Sequence, residues 1–284
     1  MPYLPSDYVE TVRRALQEDV GTGDITTLLT VPAEAQAHAV MLARQDGVVA
    51  GLPVAQEVFR QVDPSLQFRA LLAEGASFRS GDLLCEITGR AQAILTGERV
   101  ALNFVQRLSG IATRTSRFVA LVQGTHARIA DTRKTTPGLR ALEKYAVRTG
   151  GGFNHRSGLY DAVLIKDNHI QACGSITAAV QAATRAPHTM TITVECATLE
   201  QVDEALQAGA QILLLDNMDL PTLQQAVKRV AGRAVTEASG GVNEQTVAAI
   251  AQTGVDIISV GALTHSAPAV DISLELSSLP QNCG

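Results

Sequence analysis

TITVECATLEQVDEALQAGAQILLLDNMDLPTLQQAVKRVAGRAVTEASGG, residues 191–241, carries one pattern three times. A short apolar run ends in an acidic residue, at Glu195, Asp216 and Glu237, and amphipathic sequence follows the first two. Thr198 with Gln201 spells a capping box, and Asp219 stands where a helix N-cap is needed. The acidic residues recur about 21 positions apart, enough for one helix and two loops between strands. Strands joined by helical crossovers must run parallel.

The alternation extends in both directions. Strands are expected at 127–131, 161–166, 190–195, 211–216, 233–238 and 255–260, with helices between them. Pro137 and Gly150 mark the start and end of one helix, and Asn243 is a candidate cap for another. No G-x-G-x-x-G follows the first strand, and polar residues cluster after nearly every strand. An α/β barrel therefore fits better than an open, doubly wound sheet.

In a barrel, all these strand ends share one rim. The first runs into Asp131-Thr132-Arg133-Lys134 and the second into Lys166-Asp167-Asn168-His169. The last three end at Asp216-Asn217, Glu237 with Ser239-Gly240-Gly241, and Val260-Gly261-Ala262. Arg133, Lys134, His155, Arg156 and Lys166 suit anionic groups. Glu195 and Asp216 suit hydroxyls, or a divalent metal shared with phosphate oxygens. The glycine turns late in the chain lie where barrels bind phosphate through backbone N–H groups.

Charge supports a small polyanion as ligand. The 284 residues carry a formal net charge of −5, which speaks against a nucleic-acid binder. Residues 128–170 nonetheless hold eight Lys or Arg against four acidic residues. Only four lysines occur, and Lys134 and Lys166 both fall on the proposed rim. No apolar run reaches the length of a membrane span, and MPYLPSDYVE has no leader pattern, so a cytoplasmic protein is expected. Cys85, Cys173, Cys196 and Cys283 are scattered and read as incidental or buried thiols.

The N-terminal third reads differently. Residues 6–18 suggest a helix capped by Ser6, and 35–88 suggest short strands and turns. EGASFRSGDLLCEI superficially suggests a carrier hairpin, yet 35–88 contain no lysine to modify. A helical pattern over 90–123 is expected to break or bend near Gly110.

DTRKTTPGLRALEKYAVRTGGGFNHRSGLYDAVLIKDNHI, residues 131–170, resembles the signature region of the quinolinate phosphoribosyltransferases. The resemblance continues through EDVGTGDITT (18–27), GERVALNFVQRLSGIAT (97–113), VEC (194–196), LLLDNM (213–218), EASGGV (237–242) and ISVGALTHS (258–266). It implies an α/β protein with an N-terminal α/β sandwich, 1–110, and an incomplete, seven-stranded TIM-like α/β barrel, 111–272. The tail 273–284 would pack back on the first domain.

The reaction implied is quinolinate plus 5-phosphoribosyl-1-pyrophosphate (PRPP), with Mg2+, to nicotinate mononucleotide, pyrophosphate and carbon dioxide. Arg133, His155, Arg156 and Lys166 would hold the quinolinate carboxylates, with Thr132 beside them. Arg99 would reach the pocket from the partner of a homodimer. Lys134 would meet PRPP phosphate, and Glu195 and Asp216 the ribose hydroxyls, directly or through magnesium. Ser239, Gly240, Gly241, Val260, Gly261 and Ala262 would cradle the 5′-phosphate. Lys134, Lys166, Glu195 and Asp216 form the implied catalytic set. Sister transferases that use nicotinate without decarboxylation, or that are associated with molybdenum, and a non-catalytic binding protein are the competing readings.

Overall fold

The computed structural model describes residues 3–186 and 190–278. Along the chain, helices α1 (Tyr8–Val20) and α2 (Ile25–Thr30) precede β1 (Gln36–Ala43) and β2 (Gly47–Val48). Then follow α3 (Leu52–Val62), β3 (Gln67–Ala70), β4 (Ser77–Phe78), β5 (Leu83–Arg90) and α4 (Ala91–Leu121). The alternating part comprises β6 (Arg128–Ala130), α5 (Arg140–Thr149), β7 (Val163–Ile165), α6 (Asp167–Cys173) and α7 (Ile176–Arg185). It continues through β8 (Ile192–Cys196), α8 (Leu199–Ala208), β9 (Ile212–Asp216), α9 (Leu220–Val230) and β10 (Val235–Ser239). It closes with α10 (Val247–Ala251), β11 (Ile257–Ser259), α11 (Ala262–His265) and β12 (Ile272–Ser278).

These elements form two compact units. The first takes 1–116, 136–151 and 266–284; the second takes 117–135 and 152–265. The first unit is therefore discontinuous, and it includes α5, which follows the first barrel strand in the chain. Its main sheet has the order β12-β1-β5-β3. β12 runs antiparallel to β1, with Ala43 opposite Ile272, so the described part of the tail completes this sheet. Residues 279–284, Cys283 among them, lie outside the described residues.

The second unit is a parallel sheet in the order β6-β11-β10-β9-β8-β7. All six strands fall within or beside the expected segments. The seventh stave is reduced to a single parallel bridge between Ala130 and Phe153. Arg128 stacks over the Phe153 ring at 4.4 Å, covering that short segment.

Several local expectations change. Residues 35–88 contain an 11-residue helix, α3, which the strand-and-turn reading missed. Its apolar residues Leu52, Val54, Ala55, Val58 and Phe59 follow helical spacing, and Pro53 sits in its first turn. α4 runs unbroken through Gly110. A Cβ at Gly110 would lie 2.0 Å from the Pro268 carbonyl oxygen, so this glycine admits close backbone approach and marks no break. α1 begins after Asp7, one residue beyond the expected cap. Asn243 makes a local turn, accepting from Gln245 and Thr246 N–H, and α10 starts only at Val247. The Thr198–Gln201 capping box and the Asp219 cap are present as expected.

Cys85 and Cys196 are buried, and burial pushes each thiol up to about 12. Among the described residues, no helix is long and apolar enough to cross a membrane.

Candidate active site

Parallel register explains how one cavity collects residues from distant parts of the sequence. Leu214 of β9 pairs with Glu195 of β8 on one side and Glu237 of β10 on the other. Side chains alternate along a strand, so Glu195, Leu214 and Glu237 form a row, and Asp216 repeats that face two residues on. Ser239 pairs with Asp216. These residues line a cavity of about 290 Å³, together with Leu164, Lys166 and Ser259 from neighbouring strand ends. Thr132, Arg133 and Lys134 after β6, and His155 and Arg156 after the Phe153 bridge, complete the wall.

One side of the cavity is cationic. Lys166 Nζ donates to Glu195 Oε2 at 2.8 Å, so the ammonium faces the acidic side. Its backbone is fixed where β7 meets α6, because His169 Nδ1 accepts the Lys166 N–H at 3.0 Å. His169 therefore caps this turn. Arg156 donates from Nη1 to the Ala162 carbonyl at 3.2 Å, while its buried Nε has no hydrogen-bond partner. Burial, and then the neighbouring Arg133 guanidinium, lower Arg156 from its ordinary value, with Asp161 acting in the opposite sense. A half-buried cation beside a second cation is an electrostatic cost that an anion would relieve.

Each carboxylate on the acidic side accepts one side-chain hydrogen bond. Glu195 is engaged by Lys166, and Asp216 Oδ2 accepts from the Asn217 side-chain amide at 2.7 Å. Asn217 adopts a left-handed φ of 53°, and its N–H donates to the Ser239 carbonyl. Gly240, at φ 96°, leaves room for the Asn217 side chain; a Cβ there would sit 2.1 Å from Asn217 Oδ1. Among the described residues, no group of three or more His, Cys, Asp or Glu is placed to hold a metal ion. Glu195 and Asp216 are only two carboxylates, so a magnesium ion would be held there only together with ligands that a substrate supplies.

The remaining expected residues divide. Gly261 lies against the Lys134 stem, 3.0 Å from Lys134 Cδ to a built Cβ, with buried Val260 before it and Ala262 opening α11 after it. The Thr264 hydroxyl donates to the Lys134 carbonyl at 2.7 Å, tying this turn to the Lys134 loop. Gly240, Gly241, Val260, Gly261 and Ala262 are not in the cavity lining. Arg99, exposed on α4, is not in the lining either.

Two carboxylates were visible in the sequence at strand ends but received no role. Asp131, fully buried, accepts the His155 N–H at 2.8 Å and the Asn154 side-chain amide at 2.6 Å. Glu237, 1% exposed, accepts the Ser259 hydroxyl, and its other oxygen lies 3.4 Å from His155 Nε2. Burial at the barrel interior is what distinguishes them, and no sequence spacing reports it.

Comparison with known proteins agrees with this geometry. The chain matches the quinolinate phosphoribosyl transferase C-terminal domain over residues 111–275 and the N-terminal domain over 24–109. It is 47% identical to the nicotinate-nucleotide pyrophosphorylase (carboxylating) of Mycobacterium leprae, over 94% of this chain and 96% of that protein. It is 43% identical to the chloroplastic enzyme of the same name from Arabidopsis thaliana, over 96% of this chain and 83% of that one. The solved structure of the nicotinate-nucleotide pyrophosphorylase from Francisella tularensis superposes with a TM-score of 0.92 at 40% identity, covering 97% of this chain and 98% of that chain.

Proposed function

Because the chain belongs to the quinolinate phosphoribosyltransferase family, we propose that it transfers the phosphoribosyl group of PRPP to quinolinate, yielding nicotinate mononucleotide, pyrophosphate and carbon dioxide for NAD synthesis. The observation that carries this reading is the cationic wall of Arg133, Arg156 and Lys166 facing Glu195 and Asp216 across one small cavity. A planar dicarboxylate needs several cations, whereas a ribose needs acceptors for its hydroxyls.

In this reaction the quinolinate ring nitrogen attacks the ribose anomeric carbon. The bond from that carbon to pyrophosphate breaks, and the electron pair leaves with pyrophosphate. Glu195 and Asp216 accept from the ribose hydroxyls and stabilise positive charge developing on the ring. Lys134 meets the negative charge gathering on the leaving group. Arg133, Arg156 and Lys166 hold the carboxylates so that the ring nitrogen faces the anomeric carbon. The 2-carboxylate then departs as carbon dioxide; its bonding pair stays on the pyridinium carbon, which takes a proton from water. No side chain has to act as a general base.

Magnesium, arriving with PRPP and held by Glu195 and Asp216, would neutralise pyrophosphate charge. Ser239 and the Gly240-Gly241 and Val260-Gly261-Ala262 turns would receive the 5′-phosphate through backbone N–H groups. The site would be completed in a homodimer by Arg99 of the partner subunit, in the cytoplasm. The test is direct: purified protein, PRPP and magnesium are supplied with quinolinate or nicotinate, and carbon dioxide and mononucleotide are followed. Mononucleotide from quinolinate with equimolar carbon dioxide supports the reading. Product from nicotinate alone assigns the chain to a sister activity, and no product from either assigns it to binding without catalysis.

A further inference from the structure

The assigned roles leave Glu237 unexplained. A carboxylate at 1% exposure is costly unless donors meet it, and the Ser259 hydroxyl meets only one of its oxygens. The other oxygen faces His155 Nε2 at 3.4 Å. At the opposite edge of the ring, His155 Nδ1 accepts the Arg156 N–H at 2.8 Å. A nitrogen that accepts cannot also carry a proton, so the neutral imidazole keeps its proton on Nε2, the ring nitrogen 3.4 Å from Glu237 Oε2. Asp131 fixes the same residue from behind through the His155 N–H.

We propose that Glu237 is a positioning residue: it holds the His155 ring in the Nε2–H tautomer whose Nδ1 accepts the Arg156 amide, and so sets the Arg156 guanidinium for a substrate carboxylate. A buried carboxylate that fixes an imidazole tautomer is the logic of the hydrolase triads, used here to place a cation rather than to move a proton. Both ring nitrogens of His155 are then turned toward the protein. The ring supports the substrate wall from behind, and Arg133, Arg156 and Lys166 supply its charge. Without Glu237 the ring can flip or change tautomer, an Nδ1–H would confront the Arg156 N–H, and the start of the Arg156 loop would shift.

The tautomer is independent of substrate, whereas the consequence for carboxylate binding rests on the function proposed above; the experiment keeps them apart. Imidazole proton–nitrogen spectra of nitrogen-15-labelled protein are recorded at pH 8, with the His155 signals identified by their loss in His155→Phe. The wild type should show the Nε2–H form. Glu237→Gln retains a carbonyl acceptor and should keep both that form and a quinolinate KM within about threefold of wild type. Glu237→Ala should populate the Nδ1–H form and raise the quinolinate KM about tenfold, with the PRPP KM changed less than about twofold. An Nδ1–H form in the wild type overturns the proposal even if no variant folds. So does a Glu237→Ala enzyme with unchanged tautomer and KM, a Gln variant as impaired as Ala, or a parallel rise in both KM values. If the wild type does not turn over quinolinate, the functional reading fails while the wild-type tautomer still decides the role of Glu237.

Discussion

Two guanidinium sites, one in each unit, differ in whether the chain itself satisfies the charge. In the first unit, Arg107 donates to Glu143 Oε1 from Nη2 at 2.8 Å and from Nε at 3.2 Å, and to the Ala267 carbonyl from Nη1. Glu143, with no exposure at all, also accepts the N–H and hydroxyl of Thr136. There the chain closes its own hydrogen-bond account. In the barrel, Arg156 sits beside Arg133, is lowered by burial and by that neighbour, and keeps a buried Nε without a partner. The first arrangement is complete without a ligand. The second leaves a buried donor beside a second cation, which a substrate carboxylate would meet under the proposed function; a larger cavity lined by Arg233 and Asp256 has no comparable cation cluster.

The sharpest way to break this contrast is at Lys166. Replacement by Ala should lower kcat/KM by about 10³-fold, the scale of losing one preorganised charge in the transition state. Lys166→Arg should recover little of it, because a planar guanidinium does not fit where a compact ammonium bridges to Glu195 at 2.8 Å. Near-normal kcat/KM in Lys166→Arg would refute the steric argument.

Stability measurements probe the other half of the comparison. Glu143→Ala should cost about 3 kcal/mol in urea unfolding, since it removes the buried carboxylate that pairs with Arg107 and accepts the Thr136 N–H. Arg156→Ala should abolish most quinolinate turnover while leaving the unfolding midpoint unchanged or higher. Equal destabilisation by the two would remove the distinction.

Mixing inactive Arg99→Ala and Lys166→Ala proteins tests whether Arg99 serves the neighbouring subunit. Half the dimers would be hybrids with one intact site of two, so about a quarter of wild-type activity should return on subunit exchange. No recovery would place Arg99 in service of its own chain.

The smallest expected effect concerns Glu74. It accepts the Gly51 and Leu52 N–H groups and the Tyr145 hydroxyl, yet burial raises its carboxyl above the ordinary value. A raised folded value means its contribution to stability is complete below about pH 4.5 and declines as pH rises through the folded value. Glu74→Gln should flatten the stability–pH curve above pH 4.5, read by thermal unfolding at a series of pH values. An unchanged curve would show that Glu74 does not titrate there.

How much was legible in advance depends on the range of the interaction. The six parallel strands were readable because a buried strand needs a short apolar run and its helix needs a cap, both local properties. α3 was missed because Leu52–Val62 is embedded among turn residues that read as strand punctuation. Gly110 was misread for a different reason: the Pro268 carbonyl that requires it comes from far along the chain. Of the site, the residues at strand ends were legible, because parallel β/α order alone sends them to one rim. The burial of Asp131 and Glu237 was not.

The sequence by itself determined the parallel α/β order, the cationic character of residues 128–170 and the identity of the polar strand-end residues. These depend on local periodicity and composition, which a linear chain carries in full. Tertiary structure alone decided that α5 belongs to the first unit and that Asp131 and Glu237 lie buried behind His155. It also decided that Arg156 rather than Arg107 keeps a buried Nε unpartnered. Burial and hydrogen-bond satisfaction are properties of three-dimensional neighbours. Two arginines identical in sequence acquire different chemistry only when folding gives one of them a carboxylate and the other a second arginine.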